Sequence, residues 1–206
     1  MSTRRERAFF VQTLLDQYIP DPKPSLVFSD SYTLLIAVLL SAQSVDARVN
    51  TVTPILFAEA KTPQDMARLD VEHIQKIIRP CGLSQKKAQA ISALSKILAD
   101  KYHGLVPKTY EELEALPGVG HKTAAVVLSQ GFEIPAMPVD THIYRCARRW
   151  GLSRGNNVNV IERDLKTLFP QRFWNRLHLQ IILFARKYCP AKGHNPALCP
   201  ICTELD

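Results

Sequence analysis

Lys122 and Asp140 are the pair in this chain best suited to covalent chemistry. One is an amine that can act as a nucleophile; the other is a carboxylate that can stabilise positive charge or move a proton. They stand eighteen positions apart (140 − 122 = 18) and could meet across a cleft if the intervening chain turns back. A second constellation lies near the C-terminus. Cys189, His194, Cys199 and Cys202 follow C-x4-H-x4-C-x2-C, four soft-to-borderline donors able to close a tetrahedral zinc site. Gln43, in Ser41-Ala-Gln-Ser-Val-Asp46, is a third candidate, because an amide presents donors and an acceptor together.

The elements around Lys122 indicate how it is presented. Thr109-Tyr-Glu-Glu112 reads as a capping box that starts a short helix, and Lys122 to Leu128 reads as a second helix with an apolar face. Pro117, Gly118 and Gly120 break the pattern between them, giving helix, glycine hairpin, helix. Gly118 and Gly120 let the backbone approach another backbone closely. With the first-turn N–H groups, at His121 and Thr123, which lack an intrahelical acceptor, they make a phosphate seat. Lys122 lies in that first turn, where an amine nucleophile would stand beside a bound phosphate. Asp140 precedes Thr141-His-Ile-Tyr-Arg, the place of an N-cap.

Leu116-Pro-Gly-Val-Gly-His-Lys-Thr-Ala124 followed by Val139-Asp-Thr-His142 resembles the helix-hairpin-helix DNA glycosylases. The lysine makes it similar to their endonuclease III branch, since the adenine-specific glycosylases of the superfamily lack a lysine at that position. The resemblance runs from Phe28 to Cys202. It implies an all-α, two-lobed fold with a central DNA-binding cleft. A six-helix barrel lobe carrying the hairpin would span 22–133, and 1–21 with 134–206 would form a discontinuous second lobe. It also implies a base-excision-repair glycosylase with abasic-site lyase activity on oxidised pyrimidines. Lys122 would form a Schiff base, Asp140 would assist, and Gln43 would fill the space a flipped base leaves. The alternatives are a monofunctional glycosylase of other base choice and a non-catalytic DNA-binding hairpin protein.

Other residues are read with two meanings each. Leu83, after Gly82 and before a helix start, is either an apolar wedge between bases or a leucine packed on its own helix. Lys86 and Lys87 fall in a first helical turn, where a phosphate partner would relieve an unfavourable position; the alternative is a solvated surface pair. Arg145 and Arg149 share a helix face at i, i+4, for phosphate contact or for surface ion pairs. His142 orients groups near Asp140 or is structural.

The family's four-cysteine loop, C-x6-C-x2-C-x5-C, holds a [4Fe–4S] cluster. Here the first gap is nine residues and the fourth cysteine is missing. Three readings stay open: a cluster with an atypical fourth ligand, a structural zinc that includes His194, or no metal. Catalysis by Lys122 needs none.

The bulk properties fit. A net charge of +7 suits a polyanionic partner, here double-stranded DNA with a damaged or abasic nucleotide. Five cysteines, an odd number, argue against a secreted disulfide framework. The longest apolar run, Thr33 to Leu40, is too short to cross a bilayer, and no targeting segment is convincing. The expectation is a cytoplasmic, monomeric, all-helical protein without membrane contact.

Overall fold

The structure, a computed structural model, describes residues 3–205. The described residues are helical, with no strand among them. The chain forms two compact units, Pro24–Glu133 and a discontinuous one made of Met1–Lys23 with Ile134–Asp206.

The unit Pro24–Glu133 is built around α2 (Ser31–Ser41). Its nine consecutive residues Tyr32 to Leu40 are all buried, as the apolar run around the whole helix requires. Asp30 caps it, accepting from the Thr33 backbone at 2.8 Å, while the Thr33 hydroxyl accepts from the Asp30 backbone. The buried phenol of Tyr32 is satisfied: Ser95 donates to the Ile91 carbonyl, so Tyr32 donates to the Ser95 hydroxyl at 2.7 Å. Burial pushes that phenol's pKa up. Around α2 come α3 (Asp46–Glu59), α4 (Pro63–Arg68), α5 (Val71–Ile78) and α6 (Ser84–Lys101). Thr62 caps α4 with Pro63 at its first turn, as the Thr-Pro pair predicts. Helices α7 (Tyr110–Glu114) and α8 (His121–Val126) flank the hairpin. The sequence suggests that α8 continues to Leu128. Instead it passes into a π-helical turn, Val127–Gly131.

The other unit packs α1 (Arg4–Tyr18) with α9 (Thr141–Arg149), α10 (Val158–Leu168), α11 (Trp174–Lys187) and the short terminal α12 (Cys202–Leu205). Thr3-Arg-Arg-Glu6 has the Thr-x-x-Glu pattern of a capping box, and the box is present at the start of α1 in both directions. Ala8, Val11 and Leu15 of α1 enter one core with Trp150 and Phe184, whose rings meet edge to face at 5.7 Å. Truncating Trp150, which is fully buried, would cost about 3–5 kcal/mol. Gln180 of α11 donates to the Asp16 carboxylate and to the Ile19 carbonyl, closing the end of α1. No helix among the described residues is long and apolar enough to cross a membrane.

Candidate nucleic-acid interface and cysteine loop

The hairpin glycines do different work. Gly118 has φ +77°, and a Cβ there would stand 2.9 Å from the Ala90 Cβ and 3.1 Å from Leu39 Cδ1. It is glycine so that the hairpin can seat on α2 and α6. Gly120 has an ordinary φ of −99°, and nothing lies within 4 Å of where its Cβ would be. The space in front of it is open. As the residue before α8 it offers no side chain to the first-turn N–H groups of His121, Lys122 and Thr123.

His121 braces the hairpin. Its Nδ1 lies 2.7 Å from Glu114 Oε1 of α7, and its ring stacks on Tyr110 with centroids 4.9 Å apart. Thr123 is half-buried, whereas Lys122 is exposed, with its amine in no ion pair among the described residues.

Gln43 and Leu83 share a backbone peculiarity that the sequence does not announce. Both are non-glycine residues with positive φ, +57° and +49°, and both are exposed. Holding a side chain in that region costs of order 1–3 kcal/mol, a kind of strain that clusters at functional sites. The pair Lys86 and Lys87 divides. Lys86 is exposed, but Lys87 is buried and does not present its ammonium to a phosphate. Its Nζ donates to the Leu40 carbonyl at 2.8 Å and to the Cys81 carbonyl at 2.9 Å. These carbonyls precede Gln43 and Leu83 by three and two residues. The correction has a simple physical reason: the four-carbon stem of Lys87 lies in the core, and its charge is solvated by two carbonyls at helix ends. Burial lowers its pKa.

In the other unit Asp140 is the N-cap of α9, as its position suggests, with Oδ1 accepting from the Ile143 backbone at 2.8 Å. The segment before it is held from α11 by two residues that sequence reading missed. Asn175 accepts from the Ala136 backbone at 2.9 Å, and His178 donates through Nδ1 to the Pro138 carbonyl at 3.1 Å. An Asn and a His among the first turns of an amphipathic helix were the only local signal.

Arg145 is also directed elsewhere than toward a phosphate. Half-buried, it contacts His142 Nδ1 at 3.2 Å and donates to the Cys189 carbonyl at 3.0 Å. Arg149, on the same face, donates to Cys189 Sγ at 3.2 Å and to the Pro190 carbonyl at 3.0 Å. The i, i+4 arginine pair therefore clasps the cysteine loop.

That loop brings Cys189, His194, Cys199 and Cys202 together, with one ligand atom of each within 4.8 Å of all the others. The three thiols are buried, and no cysteine among the described residues forms a disulfide. Both ring nitrogens of His194 are buried without a hydrogen-bond partner. A hydrogen bond from Cys146 and another from Arg149 outweigh burial and bring the Cys189 thiol pKa down, while Cys146 is pushed up. These four residues could bind a metal ion.

The model of the HhH-GPD superfamily base excision DNA repair protein matches residues 36–171. Endonuclease III of Treponema pallidum is 45% identical over 185 residues, 90% of this chain and 85% of that protein. Endonuclease III of Escherichia coli K12 is 41% identical over 191 residues, 93% of this chain and 90% of that protein. Among solved structures, a trapped endonuclease III–DNA covalent intermediate superposes with a TM-score of 0.94 at 38% identity, over 100% of this chain and 96% of that one. A thermostable thymine-DNA glycosylase at 24% identity shares the fold, with a TM-score of 0.85. The hairpin lysine, the capped aspartate and these matches along nearly the whole length place the chain in the HhH-GPD superfamily of base excision DNA repair proteins, in its endonuclease III branch.

Proposed function

We propose that this chain is a DNA glycosylase and abasic-site lyase that removes oxidised pyrimidines from duplex DNA, with Lys122 as nucleophile and Asp140 as its acidic partner. The observation that carries the reading is an exposed lysine on the first turn after a glycine hairpin, in a chain similar over its full length to an endonuclease III trapped covalently on DNA.

In this reading the damaged nucleotide leaves the stack, because its glycosidic carbon is out of reach inside the duplex. Gln43 enters the vacated space and bonds the orphaned base, while Leu83 wedges beside it. The open space before Gly120 admits a backbone phosphate to the α8 N–H groups. The neutral Lys122 amine attacks C1′. The C1′–base bond breaks, and the base leaves with the bonding pair and a proton. Asp140, fixed as a cap and therefore without rotational freedom, stabilises the positive charge on the sugar and takes part in proton transfer. The ring opens to an imine, which acidifies C2′. Loss of that proton moves electrons toward C1′ and expels the 3′ phosphate, nicking the strand. An amine is required because the imine is the electron sink.

Borohydride trapping on an abasic duplex tests this reading. Wild type should form a covalent complex and Lys122→Ala should not. Base release and nicking should occur together; release without nicking would mark a monofunctional enzyme. The protein would act as a monomer on double-stranded DNA in the cytoplasm. We read the Cys189 loop as a metal site that holds the C-terminal segment and takes no part in these steps.

A further inference from the structure

We propose that Cys189, His194, Cys199 and Cys202 hold a single tetrahedral zinc ion where relatives of this chain carry a four-iron cluster. The proposal rests on the reading of this loop as a metal site. It does not depend on the assignment of Lys122.

The cubane does not fit the donors. A [4Fe–4S] cluster is held by four thiolates, each on a different iron. The loop supplies three, and its fourth group is an imidazole. Cys146 does not make up the number: it hydrogen-bonds Cys189 from α9 but lies outside the set of mutually close ligand atoms. Cys81 belongs to the other unit.

Spacing decides the same way. With Zn–S bonds of about 2.3 Å and a slightly shorter Zn–N bond, the ligand atoms around one tetrahedral ion stand about 3.8 Å apart. Four ligands on the outside of an iron–sulfur cube must stand farther apart, because the cube itself lies between them. Here all four ligand atoms lie within 4.8 Å of one another. That is room for one ion.

His194 supplies independent support. A neutral imidazole carries one donor and one acceptor, and leaving such groups buried and unpaired costs about 1–3 kcal/mol each. Both His194 nitrogens are in that state. A zinc bond to one of them resolves its acceptor outright. Three thiolates on a dication leave a net charge of −1, and the Arg149 guanidinium donating to Cys189 Sγ at 3.2 Å offsets it. With four protein ligands the site is closed, so the ion is structural.

The test is the metal content of the full-length protein, expressed in medium containing both iron and zinc and purified without chelator. About one zinc per chain, with no acid-labile sulfide and no cluster absorption, is the expected result. About four iron and four sulfide per chain would overturn the proposal, and so would a chain that holds no metal. As a second measurement, chelated protein titrated with Co²⁺ should show the absorption of tetrahedral thiolate–imidazole coordination, saturating at one equivalent; octahedral spectra would overturn it. His194→Ala should weaken zinc binding at least tenfold. Should that variant fail to fold, the wild-type stoichiometry and the cobalt spectrum still decide. Borohydride trapping on the same samples separates the two readings, because loss of trapping with zinc retained rejects only the Lys122 assignment.

Discussion

The Lys87 ammonium lies 2.8 Å from the Leu40 carbonyl oxygen, joining two segments 47 residues apart in sequence. Its second bond, to Cys81, makes it a tie between the end of α2 and the turn before α6. Each of these ends leads into a residue held at positive φ, Gln43 after α2 and Leu83 before α6. Lys87→Met keeps the stem and removes both bonds, leaving two helix-end carbonyls unpaired. The expected cost is about 2–4 kcal/mol, read as a fall in Tm or in the denaturation midpoint. Affinity for an abasic duplex should fall as well. Lys87→Arg should not restore either, since a planar fork does not fit a site made for a compact charge.

Lys86 should behave in the opposite way. Lys86→Ala should leave stability within about 0.5 kcal/mol of wild type. If Lys86 contacts a phosphate, the slope of log affinity against log salt should fall by about one for all duplex sequences alike. An unchanged slope would return it to the solvated surface.

The Lys87 site also has a pH signature. Burial depresses its pKa in the fold below the ordinary lysine value of 10.5. The unfolded chain therefore binds this proton more tightly, and in the window between the two values stability rises with pH. Below the folded value both states are protonated and the contribution is flat. Chemical denaturation of wild type and Lys87→Met from neutral pH up to about 10 should show the gap between them widening in favour of wild type; a gap that narrows would contradict the direction.

Gly118 and Gly120 can be separated by alanine. At Gly118 both the φ of +77° and the Ala90 contact oppose a Cβ, so the substitution should cost on the order of 1–3 kcal/mol. At Gly120 neither obstacle exists, and stability should stay within about 0.5 kcal/mol. Duplex affinity should nevertheless drop at Gly120, where the new methyl would stand in the path of a phosphate. Equal affinity would place the backbone of DNA elsewhere.

Asp140→Asn isolates charge from capping. Asparagine caps a helix about as well as aspartate, so thermal stability should hold. The rate of base release should fall by about 10²–10⁴, measured in single turnover. A loss confined to stability would leave Asp140 a cap and nothing more.

What the sequence disclosed was local. Capping at Thr3, Thr62, Thr109 and Asp140 is written within four residues, and each is where the pattern puts it. The donor spacing from Cys189 to Cys202 is likewise contained in one loop, and the four ligand atoms do come together. What stayed hidden depended on distant partners. Lys86 and Lys87 are indistinguishable in a first helical turn until Leu40 is packed beside one of them. The shared face of Arg145 and Arg149 was legible, but its partner is about 40 residues further on, at the cysteine loop. Positive φ at Gln43 and Leu83 had no residue-type signal, because the usual marker is glycine.

Asn175 and His178 grip the strand of chain leading to Asp140 from the first turns of α11, and the same helix ends at Lys187, two residues before Cys189. One rod of 14 residues, about 21 Å long, thus has the carboxylate's mooring at one end and the cysteine loop at the other. Damage to the loop, such as oxidation of its thiols, would travel along that lever and misplace the carboxylate. Activity would then fade in a protein whose reactive residues are all intact.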